Sequence, residues 1–492
     1  MHTENIFETC IYKSKCNKPI QTQGIICILK NTLLLLVLCF QVGLLQAQGV
    51  LQITGKEILS PSGNPVFLRG VNLGGWLVTE NWMCGITDTT DTNGRSALAM
   101  LESRFSDTQV TQLQNAWQDN WITSADLDTI QSLGFNFVRV PFGWRNLQDK
   151  NRQWHLDNNG NIDFSRFDWI VNQAAQRNLY VMFDYHIWLD QEIAYNSISD
   201  VDSVKLHTTE IWKAVASHFN NNPTVIAYDL LNEPTGSWND HVMQMIYDSV
   251  RTVDATHIIS MEWTNPDTSR WQNVLYQDHF YGLSASTFAQ NQALFNANYL
   301  PIFAQHDALN VPFYVGELHT FDSDTTLAWS LNQYCLNNIH WSPWTYKTVN
   351  MWGWGLISVY PNNVSVNVAT DSFSTILNKW SQLSNPNNWY EMTNLKTIWR
   401  EAANCLNTTN TTSPVLSSTF RLYPNPTSSY LNVEVPSSAI GRRYHILNTL
   451  GMTLLSAELS SENTEIPLYD LSEGLYFFVI EGNENVVKFV KQ

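Results

Sequence analysis

The chain has 492 residues, enough for one large domain and a smaller one. Hydrophobic residues make up 44% and charged residues 14%, so the composition excludes wholesale disorder and allows a substantial core. The formal net charge of −17 argues against binding to nucleic acid or to an anionic membrane, because both are themselves negatively charged.

The first 47 residues have the features of a secretory leader. Lys30 precedes the short apolar run LLLLVLCF (33–40), and Ala47 stands where a signal peptidase would cleave. A basic flank, a short apolar core and small residues are typical of a signal peptide, and the run is short for a transmembrane span. We therefore predict a signal peptide and leader over residues 1–47, with a membrane anchor as the alternative.

Residues 48–404 alternate short apolar runs with helical patterns. The SPSGNP turn (60–65) indicates an N-terminal hairpin, and SADLDTIQSLG (124–134) indicates a helix that Ser124 would cap. Eight strand-like runs are found at 66–73, 135–140, 179–185, 225–231, 257–263, 274–281, 312–316 and 338–344.

Strands that alternate with helices form a parallel sheet, so this part of the chain predicts an α/β fold, a closed (β/α)8 TIM barrel. The fifth and sixth strands are separated by about a dozen residues, which is short for a helix. A doubly wound open sheet is therefore the alternative.

The C-terminal part has a different pattern. Residues 405–418 (CLNTTNTTSPVLSS) are rich in Thr, Ser and Asn and predict a linker. Residues 419–492 contain short alternating strands between Gly, Pro, Asn and Ser turns, which predicts a small β-sandwich.

Cysteines give no sign of a metal site. Beyond the leader the chain has Cys84, Cys335 and Cys405, which are far apart and form no CxxC pair. One disulfide is possible, but neither a disulfide framework nor a zinc site is indicated. We expect no metal and no organic cofactor.

Polar side chains stand at the ends of most predicted barrel strands, where reactive groups belong in a (β/α)8 barrel. Taken singly, each has an ordinary interpretation as a turn residue, a helix cap or a core aromatic. Structural needs, however, rarely bring so many polar groups to the mouth of one core. The set is Arg139, His186, Asn232, Glu233, His279, Tyr281, Glu317 and Trp344.

Two of these residues, Glu233 and Glu317, follow the fourth and seventh predicted strands and would face each other across the barrel mouth. Glycoside hydrolysis requires two carboxylates, and a separation of about 5–5.5 Å gives retention of configuration through a covalent intermediate. Glu317 beside Arg139 would stay ionised as the nucleophile. Glu233, with less compensation, would hold its proton as the general acid.

Seven motifs together resemble glycoside hydrolase family 5, the cellulase superfamily. They occur in order as RGVNLGGWL (69–77), GFNFVRVPFGW (134–144), FDYH (183–186), LLNEP (230–234), HFY (279–281), VGE (315–317) and WTYK (344–347). The resemblance covers about 350 residues, and RGVNLGGWLVTENW (69–82) is most similar to the exo-β-1,3-glucanase branch.

This resemblance implies roles for the matching positions. Glu233 would be the catalytic acid/base and Glu317 the catalytic nucleophile. Asn232 would bind the substrate 2-hydroxyl, and Trp344 would be the stacking platform for the reacting sugar. The implied substrate-binding residues are Arg139, His186, Asn232, His279, Tyr281 and Trp344.

The resulting hypothesis is a secreted, retaining β-glycoside hydrolase that acts on a β-glucan such as β-1,3- or β-1,4-glucan, as a monomer. A mannanase or an endoglycoceramidase-like hydrolase on the same barrel is the alternative. A non-catalytic glycan-binding surface protein is another.

The end of the chain has a resemblance of its own. RLYPNPTSSYLNVEV (421–435), LYDLSEGLYFFVIEG (468–482) and VVKFVKQ (486–492) resemble the C-terminal sorting domain of type IX secretion. This implies that residues 419–492 engage the secretion machinery and that the protein is exported. A carbohydrate-binding or fibronectin-like sandwich is the alternative.

Overall fold

The computed structural model describes residues 50–87, 94–187, 201–234, 240–262, 266–321, 323–351, 353–405, 421–436, 439–448, 453–469, 471–480 and 487–492. The predicted leader 1–47 and nearly all of the predicted linker 405–418 lie outside these ranges. The chain divides into two compact units, Met1–Asn404 and Cys405–Gln492.

The strands of the first unit are, in chain order, β1 (Gln52–Thr54), β2 (Glu57–Leu59), β3 (Gly70–Asn72), β4 (Ile86–Thr87), β5 (Phe137–Gly143), β6 (Tyr180–Ile187), β7 (Val225–Asp229), β8 (Ile258–Glu262), β9 (Val274–Phe280), β10 (Phe313–Leu318), β11 (His340–Trp341), β12 (Lys347–Val349), β13 (Ile357–Val359), β14 (Val366–Asn367) and β15 (Trp389–Glu391).

The α-helices of this unit are α1 (Asn81–Cys84), α2 (Gly94–Arg104), α3 (Asp107–Trp121), α4 (Ser124–Ser132), α5 (Ser165–Ala175), α6 (Val201–Phe219), α7 (Asp240–Arg251), α8 (Phe288–Asn298), α9 (Leu300–Ala308), α10 (Asp324–Leu336), α11 (Pro361–Val364), α12 (Phe373–Trp380) and α13 (Thr393–Ala403).

Eight strands, β3 and β5 to β11, form one parallel sheet in which each strand pairs with its neighbour along this series. The sheet closes on itself. Arg69 forms a parallel bridge with Trp341, and the backbone N–H of Trp341 donates to the carbonyl of Leu68 at 3.1 Å. The predicted (β/α)8 barrel is therefore confirmed, and the doubly wound open sheet is wrong.

Every predicted barrel strand overlaps an observed one, but the first and the eighth are much shorter than predicted, and the eighth (338–344) is reduced to His340–Trp341. The strand predicted at 66–73 is reduced to Gly70–Asn72. The backbone N–H of Val66 donates to the carbonyl of Ile58 at 2.7 Å, so this residue extends the N-terminal hairpin and does not pair within the barrel.

The connection between the fifth and sixth barrel strands also differs from the repeating pattern. β8 ends at Glu262 and β9 begins at Val274, and the described residues of the connection, 266–273, contain no helix. The two strands still pair in parallel, with Ile259 opposite Val274. The barrel therefore tolerates a short connection at this position.

The helix predicted from Ser124 is present as α4, but its cap differs. The N-cap is Thr123, and the carboxylate of Asp126 accepts a hydrogen bond from the backbone N–H of Thr123 at 2.7 Å. Ser124 is thus the first helical residue and not the cap. Asp126 stands three residues after Thr123, which is the spacing of a capping box with Thr123 as the N-cap.

The hairpin β1–β2 covers the N-terminal end of the barrel. Leu51 and Ile58 are buried in the same apolar cluster as Phe137, Ile258 and Tyr314. With that end closed by apolar packing, the polar residues of the barrel interior gather at the C-terminal ends of the strands, as is usual for this fold.

The second unit contains β16 (Arg421–Tyr423), β17 (Tyr430–Glu434), β18 (Arg443–Asn448), β19 (Thr453–Glu458), β20 (Asn463–Pro467), β21 (Gly474–Ile480) and β22 (Val487–Lys491). They form two antiparallel sheets, one in the order β16-β17-β20 and one in the order β19-β18-β21-β22. Buried apolar residues such as Leu431, Ile446 and Phe478 fill the space between the sheets, as the predicted β-sandwich requires.

Cysteine chemistry differs between positions. Cys84 is a free, buried thiol, whereas Cys335 and Cys405 are disulfide-bonded. Disulfides persist in oxidising compartments, which agrees with an exported protein. Within the described residues, no helix has both the length and the apolar content that a membrane crossing requires.

Gly70 provides a test of barrel closure. A methyl group at this position would overlap the backbone carbonyl of Phe137 on the paired strand β5. We expect Gly70→Ala to lower the free energy of unfolding by about 1–3 kcal/mol because β3 and β5 must move apart. Denaturant unfolding followed by tryptophan fluorescence measures this.

Gly474→Ala is the matched control, because its added methyl group would meet no atom closer than 3.7 Å. Equal unfolding midpoints for the two variants would contradict the close approach of β3 and β5.

Candidate active site

The structure brings all eight predicted site residues together at the C-terminal end of the barrel. Arg139, His186, His279 and Glu317 lie on β5, β6, β9 and β10, and the other four directly follow barrel strands. One open pocket, with about 610 Å³ of empty space, is lined by six of the eight: His186, Asn232, Glu233, Tyr281, Glu317 and Trp344. The other two contact the glutamates of the pocket: Arg139 binds Glu317, and His279 binds Glu233.

Arg139 is completely buried and binds groups from five other positions of the barrel. Its Nε donates to Asp229 at 2.8 Å, Nη1 donates to Glu317 at 2.9 Å and to Asn72 at 3.0 Å, and Nη2 donates to Asn232 at 3.1 Å. Nη2 also lies 3.2 Å from the carboxylate of Asp184. We call these six residues the Arg139 cluster: Arg139, Asn72, Asp184, Asp229, Asn232 and Glu317.

The charges of this cluster depend on one another. Burial alone would lower the pKa of Arg139, but the carboxylates of Asp184, Asp229 and Glu317 raise it well above its ordinary value. Burial raises the pKa of Asp229, although Arg139 and a hydrogen bond from Gln277 oppose this shift. The guanidinium therefore carries its charge permanently and opposes the effect of burial on the pKa of Asp229.

Glu317 is buried and held on both carboxylate oxygens. Oε1 accepts from Arg139, and Oε2 accepts from the hydroxyl of Tyr281 at 2.6 Å. Burial and the neighbouring Glu317 raise the pKa of Tyr281 well above its ordinary value, so the phenol keeps the proton that it donates. These contacts fix the orientation of Glu317 towards the pocket.

Glu233 has a different environment. Its side chain is 54% exposed, and Nδ1 of His279 lies 2.9 Å from its Oε1. The backbone of Glu233 is in the left-handed region, with φ of 46°, and its N–H donates to the carboxylate of Glu262 at 2.6 Å. A non-glycine residue in this conformation needs surrounding contacts to hold it.

The protonation expected for Glu233 is wrong, because its surroundings do not favour a proton on this carboxylate. The hydrogen bond from His279 lowers the pKa of Glu233. Burial would lower the pKa of His279, but Glu262, Glu317 and the bond with Glu233 raise it to about 9. At neutral pH the proton therefore resides on His279, one hydrogen bond away from Glu233.

His186 and Trp344 form one wall of the pocket. Their rings are stacked, with centroids 5.0 Å apart and an interplanar angle of 10°. Burial disfavours a charge on His186, but Asp184, 2.8 Å from its Nδ1, raises the pKa of His186 well above its ordinary value. Trp344 is only 3% exposed, although it lines the pocket.

Several residues of the site were missed by the sequence analysis. Asp184 stands two positions before His186 on the same strand, so the period of two could have placed both side chains on one face. Glu262 ends the fifth barrel strand, which with the first is one of the two barrel strands for which no terminal polar residue was predicted. Glu262 could have been found by applying the strand-end rule to every strand.

An aromatic rim beside the glutamates was also missed, because its residues lie in a one-turn helix and in loops, which are too short to show a periodic pattern. Trp82 and Phe321 are 38% and 43% exposed, and both pack against Trp354, with ring centroids 5.0 Å and 5.8 Å away. Nε1 of Trp82 donates to Glu80 at 3.0 Å, and Glu80 also lines the pocket. We call Trp82, Phe321 and Trp354 the aromatic rim.

Glu233, His279 and Glu317 each place one donor atom within 4.8 Å of the others. We assign no metal to them, because Arg139 and Tyr281 already bind both oxygens of Glu317 and His279 engages Glu233. The expectation that the protein needs no metal or organic cofactor stays a prediction.

A (β/α)8 barrel with two carboxylates facing each other at its mouth defines a class of glycoside hydrolases. The model of the cellulase family, described as glycosyl hydrolase family 5, matches residues 101–350, about half of the chain. The chain belongs to glycosyl hydrolase family 5 and is a glycoside hydrolase, which confirms the resemblance found in its motifs.

Residues 421–492 match a second model, the secretion system C-terminal sorting domain. The resemblance of the sandwich to such a domain is therefore confirmed, and it indicates that the protein is secreted.

Curated relatives are distant. A β-xylosidase of Phanerodontia chrysosporium is 24% identical over 358 residues, 62% of this chain and 72% of its own length. A glucan 1,3-β-glucosidase of Blumeria graminis is 26% identical over 251 residues, 46% of this chain and 57% of its own length. The chain thus spans little more than half of the second relative.

A solved structure, that of a β-glucanase from Saccharophagus degradans, has 17% identity and a TM-score of 0.41. It covers 68% of this chain and 93% of its own.

Arg139→Met tests the Arg139 cluster. Removal of the guanidinium leaves several buried carboxylates without their cation, so we expect the free energy of unfolding to fall by about 3–5 kcal/mol. Denaturant unfolding at neutral pH measures the loss.

The control is Arg166→Met, which removes a partly exposed ion pair with Asp119. We expect this change to cost less than about 1 kcal/mol. Equal losses for the two variants would show that the buried cluster is not held by Arg139.

Proposed function

We propose that the protein is a retaining β-glycoside hydrolase that acts on a β-glucan by double displacement. The observation that carries this proposal is the position of the two glutamates, which place carboxylate oxygens within 4.8 Å of each other across the barrel mouth. This spacing suits a nucleophile and an acid/base on opposite sides of one glycosidic bond. The inverting reaction needs about 6.5–9.5 Å between the carboxyl groups, to admit a water molecule.

In the first step Glu317 attacks the anomeric carbon and forms a glycosyl ester, while the bond to the leaving oxygen breaks. Arg139 and Tyr281 orient its carboxylate through the two hydrogen bonds described above. The leaving oxygen takes a proton from Glu233. Electrons move from the carboxylate to the new C–O bond and from the breaking bond to the leaving oxygen.

Glu233 must first receive this proton from His279. Substrate binding displaces water from the exposed carboxylate of Glu233, and loss of water raises the pKa of a carboxyl group while it lowers that of an imidazole. Both shifts move the proton along the 2.9 Å hydrogen bond towards Glu233. We call Glu233 and His279 the acid/base pair. In this proposal the pair supplies the acid only when substrate fills the pocket.

In the second step a water molecule attacks the ester and gives its proton to Glu233. The bond between sugar and Glu317 breaks, and the carboxylate returns to its contacts with Arg139 and Tyr281. Two displacements at the same carbon restore its original configuration.

The remaining residues of the pocket fit contacts to a sugar. Because Arg139 binds Oδ1 of Asn232, the amide NH2 of that residue is oriented to donate to a substrate hydroxyl. Trp344, stacked on His186, lines the pocket, and we propose that it contacts the apolar face of a pyranose there. The choice of a β-glucan is supported by the aromatic rim and by the name of the Blumeria graminis relative, a glucan 1,3-β-glucosidase.

The first experiment is a substrate panel. Purified protein is incubated side by side with laminarin, cellulose, mannan, xylan and a glycolipid, and the anomeric configuration of the first product is followed by proton NMR. We expect β-configured glucose or gluco-oligosaccharide from a β-glucan. Release from mannan or glycolipid alone would overturn the β-glucan assignment, and an α-configured first product would overturn the retaining mechanism.

The two glutamates differ in a way that can be measured. We expect Glu317→Ala to lose hydrolysis by several orders of magnitude, because no nucleophile remains. In Glu233→Ala, nitrophenyl glycosides with good leaving groups should still form the glycosyl-enzyme, since they need little protonation, and azide should accelerate its breakdown. Stopped-flow release of nitrophenol across a series of leaving groups measures both steps.

Unchanged activity of Glu317→Ala would eliminate the nucleophile assignment. A leaving-group dependence equal to that of the wild type in Glu233→Ala would eliminate the acid/base assignment.

Trp82 of the aromatic rim is expected to bind substrate without taking part in the reaction steps. Aromatic contacts contribute about 0.5–1.5 kcal/mol, so Trp82→Ala should raise KM for a β-glucan oligosaccharide about 2- to 10-fold with little change in kcat. Tyr360→Ala, at an equally exposed aromatic residue that does not line the pocket, is the control. Equal KM values for the two variants would contradict a sugar contact at Trp82.

A further inference from the structure

Glu262 is a largely buried carboxylate that none of the steps above uses. It ends β8, the fifth barrel strand, and its side chain is 14% exposed. Its Oε2 accepts the backbone N–H of Glu233 at 2.6 Å, and Nε2 of His279 lies 3.9 Å from the same oxygen. A single carboxylate therefore contacts the backbone of one member of the acid/base pair and faces the ring of the other.

The contact with Glu233 is made where the backbone is strained. Glu233 has φ of 46°, a conformation that a residue with a side chain holds only when its surroundings fix it. The N–H bond to Glu262 is a charge-assisted contact and suits this task. It sets the direction in which the side chain of Glu233 leaves the end of β7.

The contact with His279 is electrostatic. Nε2 of His279 is buried and has no hydrogen-bond partner among the described residues, although its Nδ1 is engaged by Glu233. Around this ring stand three carboxylates, those of Glu233, Glu262 and Glu317, and the opposing cation of Arg139. Glu262 is the carboxylate on the Nε2 side of the ring.

Two more acidic groups stand near by. The carboxylate of Asp278 accepts the backbone N–H of His279 at 2.8 Å, and Asp229 acts on Glu262 from β7. The contacts to Nε2 of His279 and to the backbone N–H of Glu233 are both made by Glu262, so neither Asp278 nor Asp229 replaces it there.

We propose that Glu262 is a positioning residue for the acid/base pair: its carboxylate fixes the backbone of Glu233 and, through its charge beside Nε2, keeps the transferable proton on His279 until substrate enters. This inference rests on the proposed function, because it assigns Glu262 a task in the same reaction. Glu262 acts through Glu233 and His279, and it transfers no proton itself.

The sign of the expected pH effect follows from the charges. Burial raises the pKa of Glu262 to about 7, and the pKa of His279 is about 9. Between these values Glu262 is negative and His279 positive, so each stabilises the charge of the other. Removal of the negative charge must lower the proton affinity of His279, and the acid/base pair then loses its proton at a lower pH.

The first test does not depend on activity. Full-length protein labelled with 15N-histidine is titrated by NMR as wild type, Glu262→Gln and Glu102→Gln. Glu102 is the matched control, because its carboxylate is 17% exposed and pairs with Arg145. We expect the pKa of His279 to fall by about 1 unit in Glu262→Gln, as loss of a nearby opposite charge predicts, and to stay unchanged in Glu102→Gln.

If His279 has the same pKa in Glu262→Gln as in the wild type, the electrostatic part of the proposal is overturned. A shift of the same size in Glu102→Gln would also overturn it, because the effect would then not be specific to Glu262.

The second test is kinetic. The alkaline limit of kcat/KM for a nitrophenyl β-glycoside should move down by about 1 pH unit in Glu262→Gln, in parallel with the NMR result. In Glu262→Ala, which also removes the acceptor for the Glu233 N–H, kcat/KM should fall about 10²-fold for poor leaving groups and much less for good ones. A merely structural role would slow both classes of substrate alike.

An unchanged pH profile in Glu262→Gln, or equal slowing of good and poor leaving groups in Glu262→Ala, would overturn the positioning role. Should Glu262→Ala fail to fold, the Glu262→Gln profile alone decides the outcome. If the wild type hydrolyses no β-glycoside, the proposed function itself fails, and the NMR titration still decides whether Glu262 and His279 are coupled.

Discussion

The buried guanidinium of Arg139 is the constraint on which the rest of the site depends. Three buried carboxylates, those of Asp184, Asp229 and Glu317, surround Arg139 and would repel one another without this central cation. Because the residues bound to Arg139 come from β3, β6, the end of β7 and β10, the guanidinium also ties these strands at their C-terminal ends. Arg139 therefore both balances the buried negative charges and holds the strands in their places around the barrel.

The different environments of the two glutamates follow from their positions relative to Arg139. Glu317 bonds directly to the cation, is buried and has both oxygens engaged, which suits a group whose position must not change. Glu233 has no direct bond to Arg139, is more than half exposed, and is held through His279 and Glu262. A group that must face a leaving oxygen and then a water molecule needs this exposure.

The barrel was predictable because its signals are local. Each strand has its own apolar run. The rule that reactive groups stand at strand ends then selected Glu233 and Glu317, and it needed no knowledge of the distance between them. Asp184 was equally accessible through its spacing from His186. The protonation of Glu233 was not, because the hydrogen bond that determines it joins residues 46 positions apart, and sequence does not give their approach. The aromatic rim was missed for a related reason, since neither the one-turn helix that contains Trp82 nor the loop that contains Phe321 is long enough to show a period.

The location of the proton on His279 changes how the site should be understood, without weakening the case for Glu233 as acid. An exposed carboxyl group has an ordinary pKa of about 4, so at neutral pH it loses its proton to water. A histidine beside it, buried among carboxylates, retains a proton at that pH and stands one hydrogen bond away. Burial of the pair by a bound sugar penalises the separated charges of Glu233 and His279, and the neutral arrangement, with the proton on Glu233, is then favoured. In the proposed reaction the exposed glutamate and the buried histidine are thus complementary, because the histidine keeps the proton before substrate binds and the glutamate delivers it to the bound substrate.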